Sequence, residues 1–255
     1  MKKVIIILRD GFDANFICTR ISEIQKKYEI IIIYESGKYA RKKKINRMLK
    51  NGKNIFLTLV NMATLVVYDK SMLHAMNKVE KTEKRTLDFS TYKVDDINEQ
   101  KCIQLCNSLN PDLILIYGTG ILSGRTIRQL DVDIYNIHSS VLPYYRNVHS
   151  DFWAYVNKDY DKIGISIFKI DEGIDTGKIA KQTVSYLPRN SKLSEYKVEN
   201  LKNIVKMIPM FLNEYFSGDI ELQEQNRNEG SLSNTPTTSD ILRFVRTEIR
   251  KKDIL

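Results

Sequence analysis

Apolar residues along this chain follow two rhythms. Short unbroken strings rich in β-branched residues occupy positions 4–8, 28–34, 112–117 and 134–138, with a weaker one at 90–94. Between them, apolar residues recur at the three-to-four spacing of helices. Strings such as VIIIL, IIII and LILI have no polar alternation, so both faces of each strand are expected to be covered. Strand and helix in alternation predict an α/β protein with a Rossmann-like, mostly parallel twisted sheet and helices on both faces. After position 161 the pattern turns hairpin-like, with strands predicted at 163–170 and 179–187 around the turn-rich DEGIDTG. A helix is expected at 193–216, ending near Gly218, followed by the polar stretch NRNEGSLSNTPTTSD and a basic helix at 241–252. This divides the chain into a main α/β domain at 1–189, carrying a basic helical insertion at about 36–85, and a C-terminal helical extension at 190–255.

Composition alters this picture little. At 255 residues, 42% hydrophobic and 28% charged, the chain can bury a sizeable core without staples. The three cysteines, Cys18, Cys102 and Cys106, lack metal-type spacing and read as reduced thiols of a cytoplasmic protein, so no metal is expected. The start, MKKVIIILRDGF, has too short an apolar run for a signal peptide and reads as a buried strand. The stretch 55–68 is interrupted by Thr58, Asn61 and Thr64 and is shorter than a membrane span needs; it is expected to be a core or oligomer helix, compatible with a homodimer. The net charge of +9 suits an acidic partner. Eight of the basic residues fall within 36–53, which contains no acid: a solvated helix face, or an attractor for a phosphorylated acceptor.

Ligands of parallel sheets bind beyond the carboxyl ends of the strands, which directs attention to 9–15, 118–123 and 136–146. Asn136 and His138, two apart at a strand end, project to one side. An amide and an imidazole placed so can donate to a developing oxyanion. Asp175, between Gly173 and Gly177, is a carboxylate able to move a proton or hold an imidazolium. The two glycines are expected to let backbone approach a planar ligand. His74 reads as structural and Trp153 as helix packing.

The run NIHSSVLPYYRNVHSDFWAYVNKDYDKIGISIFKIDEGIDTGKI, residues 136–179, resembles the core signature of folate-dependent formyltransferases, whose members act on glycinamide ribonucleotide, methionyl-tRNA and nucleotide-sugars. Order and spacing match: an Asn-x-His strand end, a Leu-Pro-x-Tyr-Arg turn and an Asp-Thr-Gly loop. The resemblance implies 10-formyltetrahydrofolate as cosubstrate and gives catalytic roles to Asn136, His138 and Asp175. It implies donor binding by Gly118, Ile121 and Leu122 and by Asp171, Glu172, Gly173 and Ile174. Arg9, Asp10, Tyr145, Arg146 and His149 are candidates for the acceptor. Ser139 stands where many relatives have Pro, and Asn147 where they have Gly. The N-terminal turn lacks a glycine-rich phosphate cradle, and about 65 residues after the catalytic region leave little room for a tRNA-binding barrel; nucleic acid is therefore an unfavoured partner. Size, the basic insertion and the VDDIN segment at 94–98 most resemble the enzymes that formylate nucleotide-linked amino-sugars for surface polysaccharides. Rival readings are a methionyl-tRNA formyltransferase-like enzyme, hydrolysis of formyl-folate, and a non-catalytic RNA- or phosphosugar-binding module on the same fold.

Overall fold

A computed structural model of the chain describes residues 1–36, 55–81, 89–226 and 228–252. The basic stretch at 37–53 lies outside the described residues, as does 82–88 of the expected insertion. Nine strands are described: β1 (Lys2–Arg9), β2 (Tyr28–Glu35), β3 (Ser90–Val94), β4 (Leu113–Tyr117), β5 (Ile134–His138), β6 (Tyr145–Asn147), β7 (Gly164–Lys169), β8 (Ile179–Val184) and β9 (Ser231–Ser233). The helices are α1 (Phe12–Cys18), α2 (Ile55–Val79), α3 (Gln100–Leu109), α4 (Gly124–Gln129), α5 (Ser150–Val156), α6 (Leu193–Ser217) and α7 (Thr238–Lys252).

Seven strands form one sheet in the order β3-β2-β1-β4-β5-β7-β8. The first five pair in parallel and the β5-β7-β8 edge is antiparallel. Alternation along β1 shows why its string is unbroken: Val4, Ile6 and Leu8 enter the core on one face, Ile5 and Ile7 that on the other. The first face is covered by α1, α2, α5, α6 and α7 and the second by α3 and Leu130, so the sheet is sandwiched as its strings require. Tyr196, Leu201, Ile204 and Phe211 of α6 and Phe244 of α7 belong to the same buried cluster as β1 and β4. The three thiols are free and buried, and burial pushes Cys18 up to about 11.

Helix α2 extends well past the 55–68 stretch that predicted it. It is long and apolar enough by length and composition to cross a membrane. One face nevertheless packs into the core through Tyr68, Met72 and Met76, while Phe56, Leu59, Val66 and Val67 are exposed. His74, expected as a packed residue, is exposed as well.

The same alternation sends Arg9 and Glu35 to one face at the carboxyl end of β1 and β2, where Arg9 Nη2 lies 2.9 Å from Glu35 Oε2. Glu35 is 1% exposed and accepts two further bonds, from the backbone N–H of Ile97 at 3.1 Å and of Gly120 at 3.0 Å. Its carboxylate thus fixes the loop after β4. Removing one member of a buried charged network leaves the rest unpaired. Glu35→Ala should lower the unfolding free energy by about 3 kcal/mol, measured by urea denaturation, with Glu35→Gln losing less.

Candidate active site

The carboxyl ends of β4 and β5 open into a cavity of about 490 Å³. Asn136 and His138 both line it, on the same side of β5 as their spacing requires. His138 is buried; its Nε2 lies 2.8 Å from the backbone carbonyl of Tyr145, an acceptor, so Nε2 carries the donated proton. Nδ1 then faces Asp175 Oδ2 across 3.6 Å. Asn136 Nδ2 donates to the other oxygen of Asp175 over a long 3.5 Å. The backbone N–H of Asn147 donates to Asp175 Oδ2 at 2.6 Å. The end of β5 and strand β6 therefore converge on one carboxylate, 28 to 39 residues further along the chain.

Backbone conformation explains several residues here. Asp175 has φ 52° and Asn147 φ 74°, in the left-handed region that Asp and Asn tolerate better than most residues. Asn147, which stands where the resembling family has Gly, thus meets the same demand. Gly173 and Gly177 also answer a steric demand within the protein. A Cβ on Gly173 would fall 1.9 Å from Thr176 Oγ1, and one on Gly177 1.7 Å from the Lys169 carbonyl. Gly173 lets the loop pack on itself, and Gly177 lets it pass close against the end of β7.

The polar tail contributes to the site. Gln225 Nε2 donates to the backbone carbonyls of Asp175, at 3.1 Å, and Gly177, at 2.6 Å. Strand β9 pairs with β6, Asn147 Nδ2 donates to the Ser233 carbonyl, and Trp153 Nε1 donates to the Asn234 carbonyl. Sequence reading assigned the tail no such part, because its contacts run to distant backbone atoms and leave no pattern in the residues.

Of the donor-side residues expected, Gly118, Ile121, Leu122, Asp171, Gly173 and Ile174 line the cavity. Glu172 instead pairs with Arg128. The loop after β4 is held by Glu35 and by Asn98, which accepts from Ser123 N at 2.7 Å and donates to the Ile121 carbonyl at 2.9 Å. The apolar side chains of Leu122, Phe168 and Ile170, with the backbone of two loops, suit a flat heteroaromatic ligand such as a pterin. Of the acceptor candidates, His149 lines the cavity, whereas Arg9, Asp10, Tyr145 and Arg146 do not. Arg9 is taken up by Glu35, and Asp10 lies 4.0 Å from Lys93. Tyr145 directs its hydroxyl at Asp159 and offers His138 its backbone carbonyl. Among the described residues no group of His, Cys, Asp or Glu is placed to hold a metal ion.

A family profile described as Formyl transferase matches residues 28–206, well over half of the sequence. The chain belongs to the formyl transferase family. A methionyl-tRNA formyltransferase of Finegoldia magna is 26% identical over 177 residues, covering 68% of this chain and 57% of that protein. The chain thus spans little more than half the length of this relative. Among solved structures, a sugar N-formyltransferase of a Shewanella species aligns over 97% of this chain and 88% of its own, with a TM-score of 0.60 and 13% identity. An N-formyltransferase of Helicobacter canadensis in complex with folinic acid and dTDP-3-aminofucose aligns over 99% and 82%, with a TM-score of 0.59 and 17% identity. These likenesses establish a shared fold.

The cavity of this member of the family also holds groups that sequence reading passed over. Lys197 on α6 bonds to Asp151 on α5, and Asp13 on α1 accepts from the Tyr117 hydroxyl at 3.2 Å. The Tyr117 hydroxyl also lies 3.3 Å from Ser139 Oγ, at the position where many relatives have Pro. Burial works against the Lys197 charge, but Asp151 and Asp13 outweigh it and hold its pKa above the ordinary value. Burial raises Asp13 above its ordinary 3.8, against the pull of Lys197. A carboxyl raised in the folded state binds its proton more tightly there than when unfolded. Its contribution to stability is therefore full below pH 3.8 and is lost as pH climbs through the raised value. Asp13→Asn should be more stable than the parent at pH 7.5, with the gain shrinking as the pH of the thermal melt approaches 4.

Proposed function

We propose that this chain transfers a formyl group from 10-formyltetrahydrofolate to the amine of a nucleotide-linked amino-sugar. The observation that carries the reading is the convergence of Asn136, His138 and Asp175 at one end of a cavity whose adjoining wall is apolar and loop-built. The acceptor class draws support from the sugar N-formyltransferases among the structures sharing the fold.

In the proposed reaction the uncharged acceptor amine attacks the formyl carbon, forming a C–N bond and a tetrahedral intermediate with a negatively charged oxygen. Asn136 Nδ2, only loosely engaged by Asp175, is the donor placed to follow that oxygen. The Nε2 proton of His138 is committed to the Tyr145 carbonyl, so its ring serves through its Nδ1 contact with Asp175 rather than as a second direct donor. The proton leaving the attacking nitrogen passes to the Asp175–His138 pair and from it to N10 of the folate, as the bond between N10 and the formyl carbon breaks. The products are a formamide and tetrahydrofolate, and atoms and charge balance without oxidant or metal.

The test incubates the protein with 10-formyltetrahydrofolate and a panel containing nucleotide-linked amino-sugars, methionyl-tRNA and no acceptor, following tetrahydrofolate release and product mass. A formylated sugar with matched folate release is expected. Formylated tRNA, or formate released without acceptor, would replace the reading with one of its rivals. His138→Ala and Asp175→Asn should each lower kcat by about 100- to 1000-fold. Gln225→Ala, which loosens the Asp175 loop without touching a reacting group, should lower kcat by about 10-fold while leaving thermal stability near that of the parent.

A further inference from the structure

The cavity has a second polar region that takes no part in this chemistry. Asp13, Asp69 and Asp151 bring carboxylates to it, and Lys197 is the one Lys or Arg of the lining among the described residues. That ammonium is already bonded to Asp151. Two further side chains of the lining stand out. The Tyr68 hydroxyl, on a residue 7% exposed, and the Asn200 Nδ2 group, on a residue 2% exposed, are buried without a hydrogen-bond partner. The other end of the Asn200 amide is fixed, because its Oδ1 accepts from Ser185 Oγ at 2.6 Å. Tyr68 is held edge-on by Phe152 at 5.6 Å and Phe244 at 5.4 Å, so its hydroxyl cannot swing to a partner elsewhere. Buried polar groups are rarely left unpaired unless something else pairs with them.

The balance of groups restricts what that something is. A phosphate would meet a surplus of carboxylates and could gain Lys197 only by breaking its bond to Asp151. A ring bearing hydroxyl, carbonyl and amine groups meets no such opposition: its oxygens can accept from Tyr68 and Asn200, and its N–H and O–H groups can donate to carboxylates. We propose that Tyr68, Asn200, Asp13, Asp151 and Lys197 form a subsite for the amine-bearing ring of the acceptor, with any acceptor phosphates held outside it. This rests on the formyl-transfer reading of the same cavity and adds to it which end of the acceptor enters.

Tyr68→Phe tests the subsite cleanly, because it deletes a hydroxyl that no protein group needs. The measurements are acceptor KM and kcat with dTDP-3-aminofucose and with the same amino-sugar lacking its nucleotide, tetrahydrofolate binding by calorimetry, and melting temperature. The expected result is an acceptor KM raised about 10-fold for both sugars, with folate binding unchanged and the melting temperature equal or higher. An unchanged KM would make the hydroxyl structural and overturn the subsite. So would competition between inorganic pyrophosphate and the nucleotide-free sugar, which would put phosphate where the ring is assigned. If neither sugar binds the parent protein while tetrahydrofolate does, the subsite fails and the donor half of the reading stands. If tetrahydrofolate fails to bind as well, the formyl-transfer reading itself falls.

Discussion

A carboxylate accepts hydrogen bonds and donates none, so a partly buried one must gather donors from whatever chain can reach it. Asp175 does this from a left-handed turn, taking Asn136 from the end of β5, the backbone N–H of Asn147 and a contact with the His138 ring. The turn in turn is held by Gln225, from a segment with little regular structure. Strand end, β6 and tail must all be in place before this set of bonds exists. The rest of the cavity is arranged around that requirement: the parallel sheet supplies the strand end, and the antiparallel β7-β8 edge supplies the loop that carries Asp175.

Much of this was legible in the residues. Unbroken β-branched strings can be satisfied only by burial on both faces, and the period of two alone places Asn136 and His138 on a common side. The Asn-x-His and Asp-Thr-Gly segments, being local, could be read directly. What escaped notice was whatever depended on contacts far apart in sequence. Arg9 was a candidate for holding the acceptor, yet strand pairing brings Glu35, 26 positions further along the chain, beside it. Lys197 lay in an amphipathic pattern that gave no sign that its face of α6 turns toward Asp151. The glycines of the Asp175 loop were legible as glycines, but their close contacts with Thr176 and the end of β7 were not.

The two sides of the cavity differ in origin. One is made of strand ends and the loops following them, the part of the fold most tightly fixed by hydrogen-bond register. The other is made of helices α1, α2, α5 and α6, which meet the sheet through side chains, by packing and by bonds such as Tyr117 to Asp13, rather than through a backbone ladder. Packed helices accept substitution on a cavity-facing position more readily than a strand accepts a change of register.

The anchoring of the loop after β4 also bears on how a ligand is received. Glu35 and Asn98 hold that loop by bonds to its backbone rather than to its side chains. Its shape is settled when the sheet forms, and a ligand arriving there need not order it. The entropy that a mobile loop would forfeit on binding has already been lost in folding, and is charged against the stability of the protein instead of the affinity of the complex.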